Sequence, residues 1–395
     1  MLTEGMELAK RVLDVSTESA FEVLAKAKQL ERQGKSVIHF EIGEPDWDTP
    51  DHIKEAAIKA LREGFTHYTP SAGIPELRQA LAERVLQERG VHLDHESQIL
   101  ITPGAKPNLL YAIFSLANPG DRVLIPDPSF PSYWALTKLA GALAVPLTLT
   151  QERDFTIDPE QVRKEAKTGA KLLILSFPSN PCGSVLSERD VKDIAEIVQR
   201  YNLWVLSDEI YQKFVYEGQR HSSVYNEAGM TDRTVVVDSF SKAYAMTGWR
   251  LGFALGPSAL IEKMTRLQIH LASCPNSFVQ KAALEALMGP QDFFKDMLRE
   301  YDLRRKTIVD GLNAIKGFHC SMPKGAFYAF PDTLSTGLNS RELSERLLNE
   351  ALVATLDGAS FGAGGEGFLR LSYATKLVKI KEGLQRMKEF AQEKL

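Results

Sequence analysis

Short apolar, β-rich runs alternate with helix-like segments through the first two thirds of the chain, and this alternation restricts the fold more than any other feature. The runs lie at 37–42, 98–102, 122–125, 143–149, 171–177, 203–207 and 234–238, with helical segments near 51–63, 75–90, 106–117, 130–140, 187–201 and 257–270. Strands separated by helices form parallel βαβ units. The runs Leu172–Leu173–Ile174–Leu175 and Leu203–Trp204–Val205–Leu206 are continuously apolar, as a sheet buried on both faces requires. The expected architecture is α/β, a mostly parallel seven-stranded sheet flanked by helices. After about residue 275 the texture changes to long charged helices (280–313, 340–352, 376–394) around two β-like pieces, 326–331 and 367–373. This predicts a smaller α+β domain built from both chain ends, 1–45 with 276–395, beside a large domain at 46–275. An amphipathic helix at 18–33, ending at Gly34, belongs to the small domain.

Composition narrows the function. At 395 residues, with domains of roughly 100–200 residues each, two domains are expected. No stretch approaches the roughly 18 consecutive apolar residues of a membrane span, and the acidic start Met1–Leu2–Thr3–Glu4 lacks the basic and apolar regions of a signal peptide. A cytoplasmic location is the expectation. Cys182, Cys274 and Cys320 include no CxxC pair and leave one cysteine over, so neither a disulfide framework nor a zinc knuckle is indicated. A net charge of −4, with basic residues dispersed among acids, gives no footprint for nucleic acid.

In parallel α/β sheets ligands bind beyond the carboxyl ends of strands. After 171–177 comes Pro178–Ser179–Asn180–Pro181–Cys182–Gly183, after 203–207 comes Asp208–Glu209–Ile210–Tyr211, and after 234–238 comes Ser239–Phe240–Ser241–Lys242. A lysine at the end of a rigid element, kept from water, suits Schiff-base chemistry. Ser239, Ser241 and Arg250 supply short donors and a bidentate fork for a phosphate. Together they point to pyridoxal 5′-phosphate. Asp208 would keep a pyridine nitrogen protonated, and Asn180 and Tyr211 would hydrogen-bond a ring oxygen. The bland alternatives are a solvated loop lysine, a helix N-cap at Asp208, packing at Tyr211 and a turn at Asn180.

Ile101–Thr102–Pro103–Gly104–Ala105–Lys106 carries a strand through a glycine into a helix, a second place for an anion. Phe130 follows the strand 122–125 and would stack on an aromatic ring, or fill the core. Arg370 interrupts an apolar run and calls for a carboxylate, from a substrate or from a protein acid, unless it faces outward on an edge strand. Gly362–Ala363–Gly364–Gly365–Glu366–Gly367 matches GxGxxG by letter, but it leads into a strand and opens no helix, so a dinucleotide site is rejected.

These residues resemble class I aminotransferases of the aspartate aminotransferase subgroup, within fold type I of the pyridoxal-phosphate enzymes. The resemblance runs from Gly43–Glu44–Pro45–Asp46 through Tyr68–Thr69–Pro70, Asn180–Pro181–Cys182–Gly183 and Ser239–Phe240–Ser241–Lys242 to Arg370–Leu371–Ser372–Tyr373. It implies that Lys242 holds the cofactor and shuttles a proton, and that Asp208 pairs with the ring nitrogen. It further implies that Asn180 and Tyr211 contact the ring oxygen and Phe130 stacks on the ring. Gly104, Ala105, Ser239, Arg250 and the partner subunit's Tyr68 would hold the phosphate. Arg370, Asn180 and the backbone of Gly43 would take the substrate carboxylate. A site completed by a partner's tyrosine implies a homodimer.

The chain departs from the family's pattern at Cys182, where threonine is usual, and at Pro103 and Ala105, where some members carry hydroxyls. The stretch Ile269–Asn276 lacks the arginine that the animal and enterobacterial aspartate enzymes use for a distal carboxylate. One bacterial branch places a lysine where Lys106 stands, and Lys106 with Ser16 and Thr17 would receive an acidic side chain; a solvated Lys106 is the alternative. The resulting expectation is ping-pong amino transfer between an L-amino acid, aspartate or glutamate favoured, and a 2-oxo acid. The rivals are aromatic, alanine or other amino acid specificity, a lyase acting at Cβ or Cγ, a cofactor-sensing regulator and a nicotinamide dehydrogenase.

Overall fold

The computed structural model describes residues 8–13, 15 and 18–394. Its twelve strands, in chain order, are β1 (Ile38–His39), β2 (Ile99–Thr102), β3 (Arg122–Asp127), β4 (Leu143–Thr148), β5 (Ala170–Ser176), β6 (Trp204–Asp208), β7 (Thr234–Ser239), β8 (Gly252–Leu255), β9 (Tyr328–Ala329), β10 (Val353–Ala354), β11 (Leu356–Asp357) and β12 (Leu369–Ser372). Seven of them form one sheet in the order β2-β8-β7-β6-β5-β3-β4. β3 to β7 pair in parallel, and β8 runs antiparallel to both of its neighbours. Leu172 to Leu175 and Val205 to Leu206 are at most 2% exposed, the two-sided burial their apolar runs required.

Local chemistry fixes the covering helices. Ser187 and Asp190 close a capping box at the head of Glu188–Arg200. The helix Pro75–Arg89 begins on a proline and ends at Gly90, whose φ of 70° is the left-handed cap that glycine favours.

Membership of the large sheet differs from the sequence expectation in one place. The run 37–42 yields only β1, which pairs in parallel with β10 outside that sheet. The seventh position is filled by β8, four residues long and opened by a glycine, too short to carry a periodic signal. The long helix expected over 280–313 is two helices, Ser277–Met288 and Asp292–Asn313. Pro290 divides them, since it has no amide hydrogen and its ring clashes with the preceding turn. The pieces at 326–331 and 367–373 narrow to β9 and β12, which with β11 make a three-stranded antiparallel sheet. Among the described residues no helix is long and apolar enough to cross a membrane.

Candidate active site

The carboxyl ends of β5, β6 and β7 open onto a cavity of about 850 Å³. Lys242, Asp208, Tyr211, Asn180, Arg250 and Arg370 all face it, as do Gly43, Ala105, Lys106, Phe130 and Ser241. Asp208 is the last residue of β6 and 6% exposed. The Tyr133 hydroxyl donates to its Oδ2 at 2.7 Å, and the Ile210 amide approaches Oδ1 at 3.3 Å. Burial pushes its carboxyl up to about 6, against the pull of those two donors. Among the described residues no cation is ion-paired with it, so it presents a carboxylate awaiting a positive partner.

Lys242 lies three residues beyond β7 and donates to the Gly43 carbonyl oxygen. Burial brings its ammonium down to about 8; the Glu44 charge opposes this, while the Arg370 and Arg250 charges add to it. About a tenth is therefore the free amine at pH 7, the form that attacks a carbonyl, far more than an ordinary lysine offers. The Tyr211 hydroxyl is 2.6 Å from the Tyr328 hydroxyl, and burial holds its phenol well above the ordinary value, hence neutral.

Arg370 is in β12, the central strand of the small sheet, and 4% exposed. It donates to Asn180 Oδ1 at 3.2 Å and to the Glu41 carbonyl, its guanidinium stands 4.7 Å over the Tyr328 ring, and its Nε has no partner. No protein acid is ion-paired with it among the described residues. That removes both the internal ion pair and the outward-facing edge position, and leaves a buried guanidinium facing the cavity without an ion-paired acid among the described residues.

The turn between β2 and the helix that starts at Lys106 is built from close approaches. Gly104 has φ 88°, and a Cβ there would collide with Arg250 Nη2; a Cβ on Gly252 would meet the Ala105 amide at 2.6 Å. Thr102 Oγ1 donates to the Gly104 carbonyl, and Asn108 braces Thr102, both at 2.7 Å. The turn leads into the helix Lys106–Leu116, whose free amides and dipole suit an anion. Ser241 N donates to Ser239 Oγ at 3.1 Å, which ties the two hydroxyl residues together. This turn, with Asp208 and Lys242 free of ion pairs among the described residues, fits pyridoxal phosphate.

Three expected residues do not line the central cavity. Gly104 lies against Arg250, which does line it, Ser239 lines a smaller cavity with Asp238 and Phe240, and Tyr68, 88% exposed, lines a separate surface cavity with Cys274 and Asn276. Ser16 and Thr17 lie outside the described residues. Lys106 is half-exposed and already paired with Glu18. Sequence reading missed Tyr133, Tyr328 and Glu18. Tyr133 sits in the helix that Phe130 opens, and its contact with Asp208 spans 75 positions, so no local pattern announces it.

A family model for aminotransferases of class I and II matches residues 35–387. An aspartate aminotransferase of Pyrococcus abyssi is 43% identical over 362 residues, covering 91% of this chain and 93% of that protein. An aromatic-amino-acid aminotransferase of Thermococcus litoralis is 41% identical over the same length and the same shares. The structure of an aspartate aminotransferase from Thermus thermophilus with maleate superposes with a TM-score of 0.92 at 36% identity, covering 97% of this chain and 99% of that one.

Proposed function

Because the chain belongs to the class I and II aminotransferase family and is an aminotransferase, we propose that it moves an amino group between aspartate or glutamate and a 2-oxo acid such as 2-oxoglutarate, with pyridoxal 5′-phosphate bound in the central cavity. When bound, that cofactor supplies a carbonyl that exchanges for an amine and a ring that accepts electrons. Lys242 Nζ would anchor it and, set free when the substrate's amine takes its place, would accept the proton from the substrate's Cα. Asp208 would keep the ring nitrogen protonated, Asn180 and Tyr211 would donate to the ring oxygen, and Phe130 would cover the ring face. Gly104, Ala105, Ser239, Ser241 and Arg250 would hold the phosphate end, joined by Tyr68 of the partner subunit in a homodimer; Lys106, at the head of the helix that follows this turn, would turn to the substrate's side chain. Arg370, Asn180 and the Gly43 backbone orient the substrate by its α-carboxylate. With the chain divided into a large domain at 46–275 and a small one from both chain ends, Lys242 would belong to the large-domain side of this cavity and Arg370 to the small-domain side.

What carries this reading is the pair of basic groups, half-buried Lys242 and buried Arg370, facing one cavity with no ion-paired acid among the described residues. The pathway comes down to one assay. Purified protein loaded with pyridoxal phosphate should convert aspartate and 2-oxoglutarate to oxaloacetate and glutamate with parallel double-reciprocal lines, the ping-pong signature. Release of free ammonia in place of glutamate would put a lyase in its stead. A monomeric mass by light scattering would remove the shared site.

A further inference from the structure

The cation that faces a substrate side chain is already occupied. Lys106 Nζ is ion-paired with Glu18 Oε1, and Ser132 Oγ donates to that same oxygen at 3.0 Å. Glu18 is the N-cap residue of the helix Ser19–Arg32, yet its side chain makes no capping bond. Its carboxylate is committed to the cavity and not to the helix. The pair lines the central cavity beside Phe21, Leu24 and Leu109, and Lys106 also stands 5.2 Å from the centre of the Phe130 ring.

A substrate whose α-carboxylate is taken by Arg370 leaves its side chain to the rest of this lining. A side-chain carboxylate there meets a neutral pair where a bare cation would attract it, and stands next to a like charge. One of the two carboxylates must leave. The pair is partly exposed, Glu18 at 24% and Lys106 at 48%, and exposed ion pairs hold their members weakly. Exchange of one carboxylate for another on the same ammonium is therefore easy. An uncharged side chain makes no claim on Lys106 and packs against the apolar lining with the pair intact.

We propose that Glu18 is an internal substitute for a substrate's side-chain carboxylate: dicarboxylic amino acids displace it from Lys106, whereas aromatic ones bind with the Glu18–Lys106 pair closed. Glu18 thereby sets the preference between the two substrate classes. The inference rests on the reading of Arg370 and Lys106 as substrate-binding groups.

The test is Glu18→Gln in the cofactor-loaded protein, read by the Kd of maleate and of 3-phenylpropionate and by kcat/KM for aspartate and phenylalanine. With the competing charge gone, maleate should bind about three- to fivefold tighter and the aspartate-to-phenylalanine ratio should rise by a similar factor, through KM and not kcat. The Kd of 3-phenylpropionate should move less than about twofold. In a Lys106→Gln background the same substitution should no longer tighten maleate. An unchanged or falling ratio, or equal tightening of both acids, overturns the proposal. A wild type that accepts neither amino acid removes the underlying reading of the cavity and this inference with it; a wild type that accepts them while Glu18→Gln moves nothing removes the inference alone.

Discussion

Replacing Arg370 with methionine separates a substrate-binding arginine from a structural one, because the two roles predict opposite balances of stability and activity. In the free protein Arg370 gives two hydrogen bonds, to Asn180 and the Glu41 carbonyl, and lies over the Tyr328 and Phe361 rings. Bonds from a charged donor are worth about 1.5–3 kcal/mol each and each ring contact about 1 kcal/mol. Against that stands the several-kcal/mol penalty, on the order of the same sum, of holding an unpaired guanidinium out of water. The two nearly cancel, so Arg370→Met should change unfolding free energy by less than about 2 kcal/mol. Substrate binding has no such offset. Removing one member of a buried, hydrogen-bonded charge pair costs roughly 2–5 kcal/mol, a loss of roughly 30- to 5,000-fold in kcat/KM. Urea melts of the cofactor-loaded protein give the first quantity and steady-state kinetics with aspartate and phenylalanine the second. Both amino acids should lose alike, since both carry the α-carboxylate, while single-turnover reaction with phenethylamine, which lacks it, should be spared. A variant that unfolds readily yet keeps kcat/KM within about tenfold, or one that loses phenethylamine and amino acids equally, would refute the reasoning.

Three further outcomes follow from the same geometry. Because Lys242 is held at about 8 by burial, the rate at which pyridoxal phosphate attaches, followed by its visible band, should rise with pH through about 8 and then level off; a flat profile from pH 6 to 9 would contradict a titrating amine. In the cofactor-free protein Asp208 sits at about 6, above its unfolded value near 3.9, so the folded state keeps an extra proton between those values and its contribution to stability is lost as pH rises through that window. Asp208→Asn removes this dependence, so wild type should lose on the order of 3 kcal/mol relative to the variant between pH 4 and 7, and parallel denaturation curves would count against the assignment. Gly104→Ala forces a side chain into a left-handed conformation and against Arg250, and should weaken cofactor binding by about tenfold or more while lowering Tm by a few degrees; undiminished affinity would show that the turn is not the phosphate cradle.

The parallel sheet was legible because each buried strand is a continuous apolar run punctuated by turns, and the residues that follow those runs are the ones the structure gathers. Lys242, Asp208, Tyr211 and Asn180 were found by their place after β5, β6 and β7. β8 was invisible because four residues beginning with glycine have no period, and β1 was misassigned to the large sheet because an apolar run does not record its partner. Tyr133, Tyr328 and Glu18 escaped for a related reason. Each acts across tens of positions on another element, Tyr328 on Tyr211 and Arg370, and Glu18 on Lys106. Helix and strand patterns carry burial, whereas such pairings depend on how finished elements pack.

The central claim is that one lysine among the chain's 47 basic residues carries the cofactor. Borohydride reduction of the protein loaded with pyridoxal phosphate, followed by proteolysis and mass mapping, tests it directly. The account predicts a single pyridoxyl label at Lys242, absent from Lys242→Ala; a label distributed over surface lysines, or seated on Lys106 with Lys242 unmodified, would contradict it.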